Sequence, residues 1–425
     1  MATAVAQSPI RVLPRRRKIF RTCVVMAILY TRSLIASLFF IRPFLLRING
    51  KPCLRERTYR VPSIPFFMML RLKWLWFRGI WSADAEGHEP KIEEKFNRFI
   101  PKVEEYVETH CKEKAKDVPL PEYDWQNGNP EEFYEKYVKT PQPVVLRGFA
   151  LQTEAVKKWG FDYIVDKCAE VEVNLTSADN DFPGKLKEVR DPKIYCANAD
   201  APFKAFPELA EDLSVPKLQP YLKKRNTWNQ FFIGQKATGS GYHCAGIWNF
   251  FFMVEGQKKW TFVDPELTWM LYPSMITGAL AYGSLVSFPD RADLSYYRLY
   301  KYCPRFWVVL NPGDVLLNPP WWWHAVDNLT PTSVAVATRW DAFKGDFSFY
   351  EINRTLSMLA IFNPRFPRFL FNYLMTNVGK GRHVVQAGGG AFEEDDMVEK
   401  TNQKGRMANS YHGKIVRKVQ LRRKW

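Results

Sequence analysis

Two histidines stand apart from the rest of this chain. Of six in all, His88, His110, His383 and His412 lie in helical or tail stretches, whereas His243 and His324 fall in a region of many short apolar runs. Imidazoles on neighbouring strands can hold a divalent metal through ring nitrogens. Around His243 runs the stretch SGYHCAGIWNFFFMVEGQKKW, from Ser240 to Trp260, and before His324 runs NPGDVLLNPPWWWH, from Asn311. If the first stretch is a regular strand, side chains alternate, so Cys244 points away from His243 while Ala245 shares its face. Lys258, if it lies inside the fold, needs an anion, because a buried ammonium is costly without a partner.

The elements that must position these groups are legible as periodicities. Between Phe231 and Val336, runs such as FFMVEGQKKWTFV, RFWVVLNPGDVLLNPP and TSVAVATRW are broken by Gly, Pro and Asp, which is the pattern of a barrel or sandwich. The run PVVLRGF from Pro143 reads as an earlier strand closed by glycine. From Lys91 to about Lys116, Phe96, Ile100, Val103, Tyr106 and Val107 recur at helical spacing among Glu and Lys, predicting an amphipathic helix against the barrel. Residues Pro65 to Trp81 mix large aromatics with Arg71, Lys73 and Arg78, as an interfacial segment or a packed helix would. Phe349 to Val378 reads as mainly helical, and GGG followed by EEDD from Gly388 reads as a solvated linker.

The spacing and order of these motifs resemble the JmjC and cupin-like (cupin-8 type) oxygenases. In that family a His-x-Asp/Glu and a distal His hold Fe(II), a Lys pairs with 2-oxoglutarate, and a Pro-Gly-Asp turn leads to a Pro-Pro-x-Trp-Trp-His strand. The resemblance covers about half the chain. It implies a mainly β fold, a double-stranded β-helix (jelly-roll cupin) with flanking helices, to which the residues themselves add an N-terminal hydrophobic segment at Thr22–Ile41. It implies His243 and His324 as metal ligands, Lys258 as partner of the distal carboxylate of 2-oxoglutarate and Asn249 as a polar neighbour of the iron. Ser240 stands where the family often has Thr, and Thr338 lies near a further polar position.

The sequence departs from the family at one place, because the carboxylate ligand belongs two residues after His243 and that residue is Ala245. Glu255, Asp264, Asp290 and Asp293 are the nearby carboxylates that could move in. Alternatively chloride or water fills the gap, as in related halogenases that carry His-x-Ala or His-x-Gly, or catalysis has been lost. Two functions follow: a hydroxylase-type Fe(II)/2-oxoglutarate oxygenase acting on a protein or small molecule, or a catalytically inactive, membrane-tethered binding protein. Histone demethylation is not expected, since no chromatin-reading module or zinc motif accompanies the barrel.

Charge narrows the partners. The net charge of +17 is unevenly spread: residues 1–80 contain 16 Lys/Arg against the single acid Glu56, the last 25 residues add eight basic residues and no acid, and the residues between sum to −6. A folded nucleic-acid module would carry its own positive charge, so nucleic acid is not an expected partner, whereas an anionic membrane suits basic ends. Thr22 to Ile41 is a mostly apolar stretch after Arg15-Arg16-Arg17-Lys18 and reads as a signal anchor despite Arg32, placing the protein on a membrane of the endomembrane system. Because the first 55 residues contain no acid, an organelle transit peptide is the alternative. Seven scattered cysteines without a CxxC disfavour a zinc site and a disulfide framework. The expected organisation is a basic N-terminus with the anchor (1–60), an interfacial or helical preface (61–125), the barrel (126–345), a helical extension (346–385), and a linker with a basic tail (386–425).

Overall fold

The computed structural model describes residues 64–82, 90–111, 114–177, 181–273 and 281–340, with scattered positions between 16 and 31 and residue 371. Its centre is two facing β-sheets. The smaller has the order β1 (Asp117–Pro119), β11 (Arg305–Leu310), β9 (Lys258–Val263), β13 (Trp323–Asn328), β7 (Gly239–Ala245), β10 (Ala281–Gly283). The larger has the order β2 (Val144–Leu146), β12 (Val315–Asn318), β8 (Trp248–Glu255), β14 (Thr332–Trp340), β6 (Asn226–Gln235), β5 (Tyr195–Ala199), β3 (Glu172–Thr176), β4 (Asp181–Lys185). All named pairings are antiparallel except β1 with β11, and this mainly β, jelly-roll arrangement matches the expected fold class. β1 brings the preface into the sheet, so the folded barrel begins before residue 126.

Alternation along the strands creates three apolar layers. Phe251 and Met253 of β8, Leu316 of β12, and Ala335 and Ala337 of β14 meet Trp260 and Phe262 of β9, Phe306 and Val308 of β11, and Val326 of β13 in the barrel interior. Phe250, Phe252, Val334 and Val336 face the other way, beneath the helices between residues 130 and 222. Outside the smaller sheet, Tyr242, Cys244, Trp323 and Ala325 pack against two longer helices.

Those helices are α1 (Phe66–Ser82) and α2 (Pro90–His110). In α2 the expected apolar stripe is present, with Phe96, Ile100, Val103 and Val107 buried. α1 is a helix packed on the barrel, with Met69, Leu72, Leu75 and Trp76 buried and Phe66, Phe67 and Trp74 facing outward.

The Pro-Gly-Asp turn acts as a clasp. Asp314 accepts from the Arg147 guanidinium at 2.6 Å, from the Gly148 amide at 3.0 Å and from the Asn311 amide at 2.9 Å, tying the end of β2 to the start of β12. Gly313 has φ +90°, a conformation only glycine adopts without strain.

Among the described residues no helix is long and apolar enough to cross a membrane. Most of Thr22–Ile41, the expected anchor, lies outside the described residues, as do Phe349–Val378 apart from Phe371 and the whole of 386–425. Among the described residues no disulfide is formed.

Candidate functional site

His243 on β7 and His324 on β13 are register partners, with ring centroids 4.2 Å apart. Each ring is locked by its own backbone: His243 Nδ1 lies 2.8 Å from the Gly241 carbonyl and His324 Nδ1 2.9 Å from the Trp322 carbonyl. A carbonyl only accepts, so Nδ1 carries the proton in both rings and each Nε2 keeps its lone pair. Burial lowers the basicity of both; for His324 the neighbouring His243 and then Arg339 depress it further, and for His243 Arg339 acts in the same direction. Trp260 stacks on His324 at 5.3 Å.

A bulge decides where Ser240 points. Along β13 the pairing passes from His324 to Val326 while along β7 it passes from His243 to Ser240, so β7 holds one extra residue. Ser240 therefore pairs with the interior Val326 and shares the face of His243, although the two are an odd number of residues apart.

Lys258, first in β9, is completely buried, whereas its neighbour Lys259 turns out to pair with Asp290. The Lys258 ammonium donates to Asn328 Oδ1 at 2.5 Å and Ser333 Oγ at 3.1 Å, and lies 5.4 Å from the centre of the Tyr195 ring. No carboxylate pairs with it among the described residues, and burial brings its pKa down to about 7. Asn249 on β8 and Asn318 on β12 are register partners on the interior side, each with a buried Oδ1 that has no hydrogen-bond partner, and the buried Trp260 Nε1 is likewise unpartnered. Asn318 Nδ2 lies 3.3 Å from His324 Nε2. Such a concentration of unsatisfied buried polar atoms in one place marks a ligand or water site.

One expected feature changes. Thr338 faces away from the barrel interior: its hydroxyl donates to the Phe250 carbonyl and accepts from Trp340 Nε1, beneath the outer helices. Its neighbour Arg339 has the inward place, and Arg339 and Asn318 are the site residues that the sequence reading did not single out. The Arg339 guanidinium leans back to 5.8 Å from the centre of the interior Phe232 ring and donates to Gln230 Oε1 at 2.8 Å and Asn198 Oδ1 at 3.0 Å. Partial burial lowers its pKa to about 10.

The carboxylates nearby in sequence do not fill the gap at Ala245. Glu255 accepts from the Phe161 amide and the Thr332 hydroxyl, Asp264 caps the turn after β9, Asp290 holds Lys259 and Asp293 holds Ser295. Among the described residues no three His, Cys, Asp or Glu are gathered where they could hold a metal. The donor set is two neutral imidazoles beside a guanidinium. It does not fit the two-His, one-carboxylate iron centre, which needs an anionic ligand to balance the ion. An anion is better matched, since the Lys258 ammonium and the unpartnered Trp260 Nε1–H can both donate to it, whereas the Asn249 and Asn318 Oδ1 atoms can only accept.

Comparison with known proteins agrees with this fold. Residues 180–346 match a cupin-like domain. HSPB1-associated protein 1 of Rattus norvegicus is 34% identical over 92 residues, covering 21% of this chain and 18% of that protein. Lysine-specific demethylase 8 of Xenopus tropicalis is 27% identical over 214 residues, covering 46% and 47%. Lysine-specific demethylase JMJ21 of Arabidopsis thaliana is 26% identical over 249 residues, covering 51% and 26%. The chain spans less than half the length of each of these relatives. Its barrel is a cupin-like domain of the JmjC kind.

Proposed function

We propose that this cupin-like, JmjC-type barrel works as a binding protein that has kept the ligand chamber of the 2-oxoglutarate oxygenases and lost their iron centre. One observation carries the reading: the chamber wall presents His243, His324, Lys258 and Arg339, with Ala245 where the carboxylate ligand belongs. A divalent ion there would meet neutral ligands and a nearby positive charge, while an anion would meet two cations and the unspent Trp260 Nε1–H.

A second reading, a hydroxylase-type oxygenase with a two-histidine centre, is favoured by the two locked Nδ1–H groups, which leave both Nε2 atoms unprotonated, that of His324 accepting from Asn318 Nδ2. The relatives named for association with HSPB1 support a protein as partner, alongside a small molecule in the chamber. The basic N-terminus and the outward Phe67 and Trp74 of α1 support attachment to a membrane, in the endomembrane system or in an organelle. Co-sedimentation of the full chain with vesicles that contain an anionic phospholipid tests that attachment; recovery in the supernatant contradicts it.

Anaerobic addition of Fe(II) and 2-oxoglutarate to the full chain, followed by absorption spectroscopy, separates the two readings of the barrel. The expected result is no metal-to-ligand band. A band that requires both additions and disappears in His243→Ala establishes the oxygenase.

A further inference from the structure

We infer that the chamber binds a short dicarboxylate without any metal, held at one end by Lys258 and at the other by Arg339. This rests on the reading of the barrel as a binding chamber and names its ligand class.

The inference follows from counting donors. An ammonium has three N–H groups, and Lys258 spends two, both on neutral acceptors, Asn328 and Ser333. A guanidinium has five, and Arg339 spends one on Gln230 and one on Asn198, again both neutral. Neither cation has a carboxylate within ion-pair distance among the described residues. Three N–H groups of Arg339 and one of Lys258 remain, one more than the three that a bidentate contact at Arg339 and a single-point contact at Lys258 consume.

Arg339 is also held in place rather than left to swing. Gln230 Nε2 donates to the Asn198 carbonyl at 3.0 Å, so the two acceptors that grip the guanidinium are themselves joined. Asn198 adopts a left-handed conformation at φ 57°, one that Asn tolerates better than most residues, and this presents its side chain to Arg339. Both side chains enter one interior. Ser333, the acceptor of Lys258, and Arg339 lie on the same face of β14, and the guanidinium leans back along that strand over Phe232, the register partner of Ala335. Between the two poles lie the His pair and the unpartnered Asn249, Asn318 and Trp260 groups. In an oxygenase the metal supplies the positive charge at the second pole; here a fixed guanidinium supplies it. A consequence distinguishes the two arrangements: a metal chelates the 2-oxo acid and discriminates against ligands without the keto group, whereas Arg339 recognises the carboxylate alone.

The test is calorimetry of the full chain in EDTA with 2-oxoglutarate and with glutarate as probes. Both are expected to bind, with dissociation constants within about threefold of each other, and Mn(II) in place of EDTA is expected not to tighten either. Arg339→Asn should weaken both by tenfold or more, as loss of a charge-assisted bidentate contact does, and Arg339→Lys, which keeps the charge, should recover part of that loss. Thermal melts of both variants show whether the barrel has folded. Absence of binding in EDTA, binding only of the keto acid and only with Mn(II), or an unchanged affinity in a folded Arg339→Asn overturns the inference. An Fe(II)-dependent band together with undiminished glutarate binding in EDTA sinks the preceding reading alone; no band and no dicarboxylate binding sinks this one alone.

Discussion

Lys258→Met should make the unliganded protein more stable near neutral pH, and the gain should shrink as pH rises. Lys258 is fully buried among neutral partners, with a folded-state pKa of about 7 against 10.5 when unfolded. One pKa unit corresponds to about 1.36 kcal/mol. Between pH 7 and 10.5 the unfolded chain holds this proton and the folded one releases it, so folded stability rises with pH through that window. At pH 7.5 the cost of burying Lys258 is about 4 kcal/mol and at pH 9.5 about 1–2 kcal/mol, so the stability difference between variant and wild type should fall by about 2–3 kcal/mol between them. Leaving Asn328 Oδ1 without its donor subtracts about 1–3 kcal/mol at both pH values and cancels in the comparison. The assay is urea unfolding of wild type and Lys258→Met at the two pH values, followed by tryptophan fluorescence. A difference that stays constant with pH, or a variant less stable at pH 7.5 by more than about 3 kcal/mol, would mean that Lys258 is a paired cation in the free protein, and the anion-seeking chamber would lose its main support.

Ala245→Asp returns a carboxylate to the face of His243 and should create Mn(II) binding at least tenfold tighter than wild type, read from the free-ion signal in electron paramagnetic resonance; no gain would mean that the missing carboxylate is not what excludes the metal. Gly256→Ala should cost about 2–4 kcal/mol in denaturant unfolding, because Gly256 has φ +76° and an added Cβ would sit 2.2 Å from the Thr332 carbonyl oxygen; a neutral result would show that the β8–β9 turn can relax. On α1, Leu72→Ala should cost about 2–4 kcal/mol and Phe67→Ala less than about 0.5 kcal/mol, since Leu72 is 2% exposed and Phe67 79%; equal costs would contradict the packing of α1 on the barrel.

Much of the site was legible in the sequence because its key signals are local. His243 and Lys258 are fifteen residues apart on β7 and β9, the two strands that flank β13, and the Pro-Gly-Asp turn and tryptophan run that deliver His324 to β13 are contiguous, so the order of the motifs can be read along the chain. Thr338 was misplaced because β14 is apolar on both faces, with Val334 and Val336 outward and Ala335 and Ala337 inward. A run buried on both sides carries no alternation from which to read its register, and a one-residue slip exchanges Thr338 for Arg339. Asn318 was overlooked because Asn before Pro-Pro reads as turn chemistry. Nor could spacing reveal the β7 bulge that turns Ser240 inward, since its cause lies in pairing with β13. The exclusion of Glu255, Asp264, Asp290 and Asp293 likewise depends on partners distant in sequence, such as Phe161 for Glu255. β1 escaped notice because three residues form a strand only by borrowing the edge of β11.

The most direct test of a metal-free chamber is a crystal structure of the protein grown with 2-oxoglutarate and Mn(II), with anomalous data collected to locate manganese. The expected result is ligand density running from Lys258 to Arg339 and no anomalous peak between His243 and His324. A manganese peak bridging the two Nε2 atoms, with the keto acid chelated to it and Arg339 uninvolved, would contradict the account at its centre.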